Sequence, residues 1–124
     1  LAQCPLERDA SAGEQYRFVV ARFERGVREV AQRLCAELAR RYQEQIGERP
    51  DGVIAPALGG IIVGHEVARA LDVPSIFVEK SEGRLVLRRF EIRPGERYVV
   101  AEDVVTRGGR VQETIDIVRA HGGR

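Results

Sequence analysis

Between Tyr98 and Arg110 an apolar run ends in two adjacent carboxylates, and a glycine pair then opens a helical pattern. Tyr98-Val99-Val100-Ala101 reads as a short buried strand, Glu102-Asp103 stand at its end, and Val104-Val105-Thr106-Arg107 form a loop. Gly108-Gly109-Arg110 lead into a helix lined by Val111, Ile115 and Val118. A strand feeding a helix through a glycine turn commits this part of the chain to an α/β arrangement. Such a loop presents unpaired backbone N–H groups at the positive end of a helix dipole, which suits a phosphate. Glycine lets the backbone approach an anion closely because no Cβ intervenes. Thr106 adds a hydroxyl donor.

The acid pair needs its own explanation. A plain strand-to-helix turn accounts for the hydroxyl and the glycines, but charge at the end of an apolar strand is disfavoured without a partner. Like charge keeps Glu102 and Asp103 off a phosphate. They can accept hydrogen bonds from sugar hydroxyls, or hold Mg²⁺ that a diphosphate also binds. The segment therefore reads as a site for a phosphorylated sugar. Neither Gly-x-x-x-x-Gly-Lys-Ser/Thr nor Gly-x-Gly-x-x-Gly occurs, so P-loop and dinucleotide fingerprints are absent.

The remaining chain fits one α/β domain spanning residues 1–124. Leu1 to Leu6 read as the tail of a strand, and Arg8 to Gly13 as a loop. Helical periodicity runs from Glu14 to Ile46. Val27, Val30, Ala31, Leu34, Cys35, Leu38, Tyr42 and Ile46 form its apolar stripe, and Gly26 is a point where it could divide. Gly47 and Pro50 end it. Val53-Ile54-Ala55 is a buried strand, and Pro56-Ala57-Leu58-Gly59-Gly60 a second strand-to-helix loop. Ile61 to Leu71 is a helix, broken by Asp72-Val73-Pro74. Ser75 to Glu79 is a strand, Lys80-Ser81-Glu82-Gly83 a polar turn, and Arg84 to Phe90 an exposed hairpin or flap strand. His121-Gly122-Gly123 cap the last helix. Strands alternating with helices predict a parallel sheet with right-handed crossovers. Ligands in such sheets sit at the carboxyl ends of the strands, where both glycine loops and Lys80 fall.

Charge and cysteine usage exclude other classes. A formal net charge of +1 gives no global pull toward nucleic acid or a membrane. No apolar run approaches membrane-span length and no charged-then-apolar leader opens the chain. Cys4 and Cys35 make no metal-ligand spacing; Cys35 falls on the helical stripe as a small hydrophobe, and a disulfide between them is not expected in a cytosolic setting. His65 lies one helical turn beyond Gly60, where local packing accounts for it more simply than a role as a base. The chain does not open on Met, and no strand follows the last helix, which predicts part of a longer protein.

Three ordered motifs carry a resemblance. Val100 to Arg110 resembles the phosphoribosyl-diphosphate (PRPP) signature of type I phosphoribosyltransferases. Ile54-Ala55-Pro56-Ala57-Leu58-Gly59-Gly60-Ile61-Ile62 resembles the second loop of the orotate branch. Phe77-Val78-Glu79-Lys80, Leu87-Arg88-Arg89-Phe90 and Pro94-Gly95-Glu96-Arg97 are similar to bacterial orotate phosphoribosyltransferases. The likeness is good over about residues 50–123 and looser before that. It implies an α/β fold: a parallel-sheet type I phosphoribosyltransferase core with flanking helices and a short flap, lacking the family's N-terminal hood and C-terminal strands.

The resemblance also implies a reaction, in which orotate and PRPP give orotidine 5′-monophosphate and diphosphate in pyrimidine synthesis. Carried over, Glu102 and Asp103 would bind the ribose hydroxyls. Thr106, Arg107, Gly108, Gly109 and Arg110 would cradle the 5′-phosphate, with Thr106 also near orotate, and Val104 and Val105 would belong to the same PRPP-binding segment. Gly59 and Gly60 would approach the diphosphate through backbone groups, and Lys80 would contact it. Arg84, Arg88 and Arg89 would belong to the flap. Mg²⁺ would be held mainly through PRPP rather than by direct protein ligands. A cytoplasmic homodimer is implied. Arg107 and Arg110 depart from the commoner pattern, which has small or hydroxyl residues there. Two other readings stay open: a PRPP- or nucleotide-binding regulator of the same fold, and a purine-specific phosphoribosyltransferase.

Overall fold

The computed structural model describes residues 25–124 and, before them, only the backbone of two short strands, β1 (Arg8–Asp9) and β2 (Gln15–Tyr16). Cys4 and the expected strand tail at Leu1 to Leu6 lie outside the described residues. The two short strands pair antiparallel, Arg8 with Tyr16 and Asp9 with Gln15. They correct the sequence reading, which placed Arg8 and Asp9 in a loop and began the helix at Glu14. Helix α1 runs Arg25–Ile46. Gln15 and Tyr16 are strand rather than helix, and the repeat Val27, Val30, Ala31, Leu34 falls within α1.

Three strands of the main sheet are parallel: β3 (Gly52–Pro56), β4 (Ser75–Ser81) and β6 (Tyr98–Val100). The hairpin strand β5 (Arg84–Val86) adds antiparallel to β4, giving the order β5-β4-β3-β6. Helix α2 (Gly59–Leu71) makes the crossover from β3 to β4, and α3 (Gly109–Ala120) follows β6. β3 is central, and every one of its residues is buried.

The apolar residues divide into two layers about this sheet. Cys35 and Ala39 of α1 meet Val67, Ala68 and Leu71 of α2, together with Val53 and Ala101. Ile54, Ile76, Val78, Leu85 and Ile92 pack with Val118 of α3. Only part of the expected α1 stripe is buried. Val30, Leu34, Leu38 and Ile46 are exposed, because the helix presents its Cys35–Ala39 edge to α2. Cys35 is a buried free thiol, and burial pushes its proton affinity up.

Two elements differ from the sequence reading in ways that bear on the site. Gly59 and Gly60 form the first turn of α2 rather than a loop before it. Lys80 lies within β4, paired with Leu85, and the turn after it is Glu82-Gly83, both at positive φ. The expected flap strand is a short sheet hairpin with Leu85 buried. A carboxylate on α3 pins it, since Glu113 Oε1 accepts the Leu85 N–H at 2.7 Å.

Candidate functional site

Register decides what meets at the carboxyl ends of the strands. Ile54 pairs with Val100, and the ladder continues as the Ala101 N–H donates to the Ile54 carbonyl at 2.9 Å. The pairing ends there, with β3 running on to Pro56 and β6 into Ala101-Glu102. β3 then turns into α2 through Ala57-Leu58, whose peptide is cis, while β6 runs into the acid pair. The two loops that were separate motifs in the sequence thus lie against one another.

The contact is tight enough that an added side chain would displace the carboxylates. A Cβ on Gly59 would lie 2.7 Å from Asp103 Cγ, and one on Gly60 would lie 3.2 Å from Glu102 Oε1. The two glycines leave the space into which the two carboxylates fit. Glu102 Oε1 accepts the Asp103 N–H at 3.1 Å. Glu102 Oε2 is shielded from solvent and has no hydrogen-bond partner. A shielded, unsatisfied carboxylate oxygen is costly unless a donor arrives, and ligand hydroxyls are donors of the right kind.

Burial, and then the neighbouring Asp103, push the Glu102 carboxyl up to about 7 from 4.5. The folded state therefore holds this proton more tightly than the unfolded chain does. The stability gained is full below about 4.5 and is lost as pH rises through about 7. Solvent at the loop screens the effect, so about 1 kcal/mol is expected rather than the full shift. Urea unfolding from about pH 5 to about pH 8 should show the parent losing stability relative to Glu102→Gln. Parallel curves for the two proteins would contradict the raised proton affinity.

The phosphate-loop residues follow directly. Val104, Val105, Thr106 and Arg107 are exposed, and Gly108 sits at φ 75°, the left-handed conformation that glycine adopts without strain. Gly109 starts α3. No side chain caps this helix, and no acidic residue stands in its first turn, so the first N–H groups remain available to an anion. α2 likewise begins without a side-chain cap. Both helices aim their N-termini at the acid pair's end of the sheet.

Lys80 ends up two residues past Val78, the partner of Pro56, with its side chain exposed. It is at the correct end of the sheet, but among the described residues it makes no contact with the acid pair. Arg88 and Arg89 are held rather than free. Glu79 takes the Nε of Arg88 at 3.6 Å and that of Arg89 at 3.3 Å, and Arg88 also donates to Ser81 Oγ at 3.0 Å. Arg84 and His65 are exposed. The Arg110 guanidinium crosses to the Ala57 carbonyl, a contact no sequence spacing announces. A separate pocket of about 150 Å³, lined by Tyr98, Val100, Ile115, Val118, Arg119 and Arg124, lies on the α3 side at the start of β6, away from these loops.

Among the described residues no cluster of three His, Cys, Asp or Glu side chains could hold a metal alone. Two carboxylates beside a phosphate site are instead what Mg²⁺ uses when substrate phosphates supply its other ligands. The donor set therefore fits a metal carried by the ligand.

The family model for the phosphoribosyl transferase domain matches residues 27–124. The chain belongs to the phosphoribosyl transferase domain family. Within it, the chain is 53% identical over 94 residues to an orotate phosphoribosyltransferase of Heliobacterium modesticaldum, covering 75% of this chain and 49% of the relative. It is 50% identical over 93 residues to the orotate phosphoribosyltransferase of Desulforamulus reducens, covering 74% of this chain and 47% of that one. The phosphoribosyl transferase chain thus spans about half the length of the curated relatives it matches. Its fold matches that of the solved adenine phosphoribosyltransferase of Saccharomyces cerevisiae at a TM-score of 0.66 and 19% identity, covering 90% of this chain and 77% of that one.

Proposed function

We propose that the protein carrying this chain transfers the ribose 5-phosphate group of PRPP to orotate, giving orotidine 5′-monophosphate and diphosphate in pyrimidine synthesis. The observation that supports it most is the pair of carboxylates seated over the Gly59–Gly60 turn, between two helix N-termini. Glu102 and Asp103 accept hydrogen bonds from the ribose hydroxyls. The Thr106-Arg107-Gly108-Gly109 amides take the 5′-phosphate, with Thr106 also toward the base. The turn at Gly59-Gly60 takes the diphosphate. The choice of orotate rests on the names of relatives about 50% identical to this chain. The adenine enzyme shares the fold at 19% identity, which carries no preference for a base.

The chemistry needs no protein nucleophile. As the bond at the anomeric carbon breaks, the ribose gains oxocarbenium character and negative charge builds on the departing diphosphate. Asp103, and Glu102 in its ionised form, hold the ribose in place and stabilise the positive charge growing beside them. Lys80, reaching from the end of β4, stabilises the leaving group. Mg²⁺, carried by the PRPP phosphates and reachable by the acid pair, supplies further neutralisation of that charge when bound. On the resemblance alone, the protein acts as a homodimer in the cytoplasm. Separately, among the described residues no helix is long and apolar enough to cross a membrane.

Mixing the protein with PRPP, Mg²⁺ and orotate tests the reading through orotate absorbance. Loss of the orotate signal is expected. PRPP binding with no base consumed would make the protein a regulator, and consumption of a purine instead would make it a purine enzyme; either result overturns the proposal. Lys80→Ala is expected to lower kcat by about a hundredfold, the scale of losing one group that stabilises developing charge. An unchanged kcat would remove Lys80 from the mechanism.

A further inference from the structure

Arg110 stands in the first turn of α3, where the resemblance would count it among the 5′-phosphate ligands. One of its guanidinium nitrogens is engaged elsewhere. Nη2 donates to the carbonyl of Ala57, on the other loop and 53 residues away in sequence. The Ala57 N–H donates in turn to the Val78 carbonyl at 2.7 Å. Both polar groups of Ala57 are therefore fixed, one to β4 and one to α3. Arg110 is also near enough to Glu102 to lower its proton affinity, against the larger effects of burial and Asp103. One side chain thus spans the turn before Gly59 and the acid pair.

The physical consequence concerns the carbonyl. A carbonyl oxygen facing a bound anion repels it, whereas N–H groups attract it. Held by a guanidinium, the Ala57 oxygen has its partial negative charge offset. The uncapped first N–H groups of α2 are left to meet the ligand. We infer that Arg110 is a positioning residue for the diphosphate turn: by engaging the Ala57 carbonyl it holds Ala57-Leu58-Gly59-Gly60 with its amides toward the anion, rather than binding the 5′-phosphate of its own loop. This rests on the function proposed above, and the two halves of the substrate separate the ideas.

Calorimetric titration with inorganic diphosphate plus Mg²⁺, and separately with ribose 5-phosphate, tests it. Arg110→Gln is expected to weaken diphosphate binding by about tenfold and ribose 5-phosphate binding by less than about twofold, the scale of one charge-assisted hydrogen bond acting on one half-site. Arg107→Gln removes the same charge from the same loop and makes no contact with Ala57. Its effect on diphosphate is expected to stay below about threefold, as for a screened surface charge, with any larger loss falling on ribose 5-phosphate, the ligand of its own loop. A selective loss of ribose 5-phosphate in Arg110→Gln, an equal loss of both, or no loss of either would overturn the inference. So would the same diphosphate selectivity in Arg107→Gln, which would make charge the cause. Parent protein that bound neither half-ligand would overturn the proposed function itself, and the inference with it.

Discussion

Gly59→Ala is expected to leave the fold standing and to weaken PRPP binding by at least about a hundredfold. The new Cβ would lie 2.7 Å from Asp103 Cγ and closer still to its carboxylate. Something must move, and the free end of an aspartate on an irregular loop moves more cheaply than the first turn of a helix. The cost to stability is therefore small. The cost to the ligand is large, because the displaced carboxylate no longer meets a ribose hydroxyl and the methyl group covers the amides of the turn. Each charge-assisted hydrogen bond lost removes about 1.5–3 kcal/mol, and two of them exceed the hundredfold mark. Calorimetry with PRPP and urea unfolding on the same variant check the two halves of this result. Full affinity in Gly59→Ala would show that the acid pair and the turn do not act on one ligand.

Gly64→Val is expected to have the opposite signature, a loss of about 3 kcal/mol in stability. Gly64 lies in the middle of α2, where a Cβ would stand 2.8 Å from the Cβ of Ala55. Ala55 is fully buried in β3, which is flanked by β4 on one side and β6 on the other. The strand cannot retreat, so the helix must. Valine recovers only a few tenths of a kcal/mol in helix propensity over glycine, which does not offset the clash. Gly64→Ala should fare better, since alanine gains about 1 kcal/mol on the same scale. A thermal midpoint lowered by more than about 10 °C in Gly64→Val is the expected reading. An unchanged midpoint would mean that α2 is free to move off the sheet.

These two glycines show where the sequence was legible. The Glu102-Asp103 doublet and the Gly108-Gly109 bend were recognisable because each breaks a local pattern: charge at the end of an apolar strand, and glycine before a helix. Their order, strand then loop then helix, also gave the parallel sheet. Gly59 could be marked as a close-approach position, but not what approaches it, because Asp103 is brought there by the β3–β6 register. Gly64 carried no signal at all, since a glycine inside a helical period looks like a weak helix former until its neighbour in the next layer is known. The α1 stripe was visible as a period of three and four. Its burial was not, because which edge of a helix is covered depends on where α2 lies. The pairing of Arg88 and Arg89 with Glu79 was equally hidden: a run of arginines near a turn reads as a solvated face, and only the fold of the hairpin puts one carboxylate between two of them. Lys80 was misplaced by two residues of turn, because Glu82 takes a positive φ that its sequence does not advertise.

A crystal structure with PRPP and Mg²⁺ bound tests the central claim most directly. The expected density places the ribose hydroxyls within hydrogen-bond distance of the Glu102 and Asp103 carboxylates, with the diphosphate against the Gly59–Gly60 turn. A pentose seated anywhere else, with the acid pair still empty-handed, would contradict it.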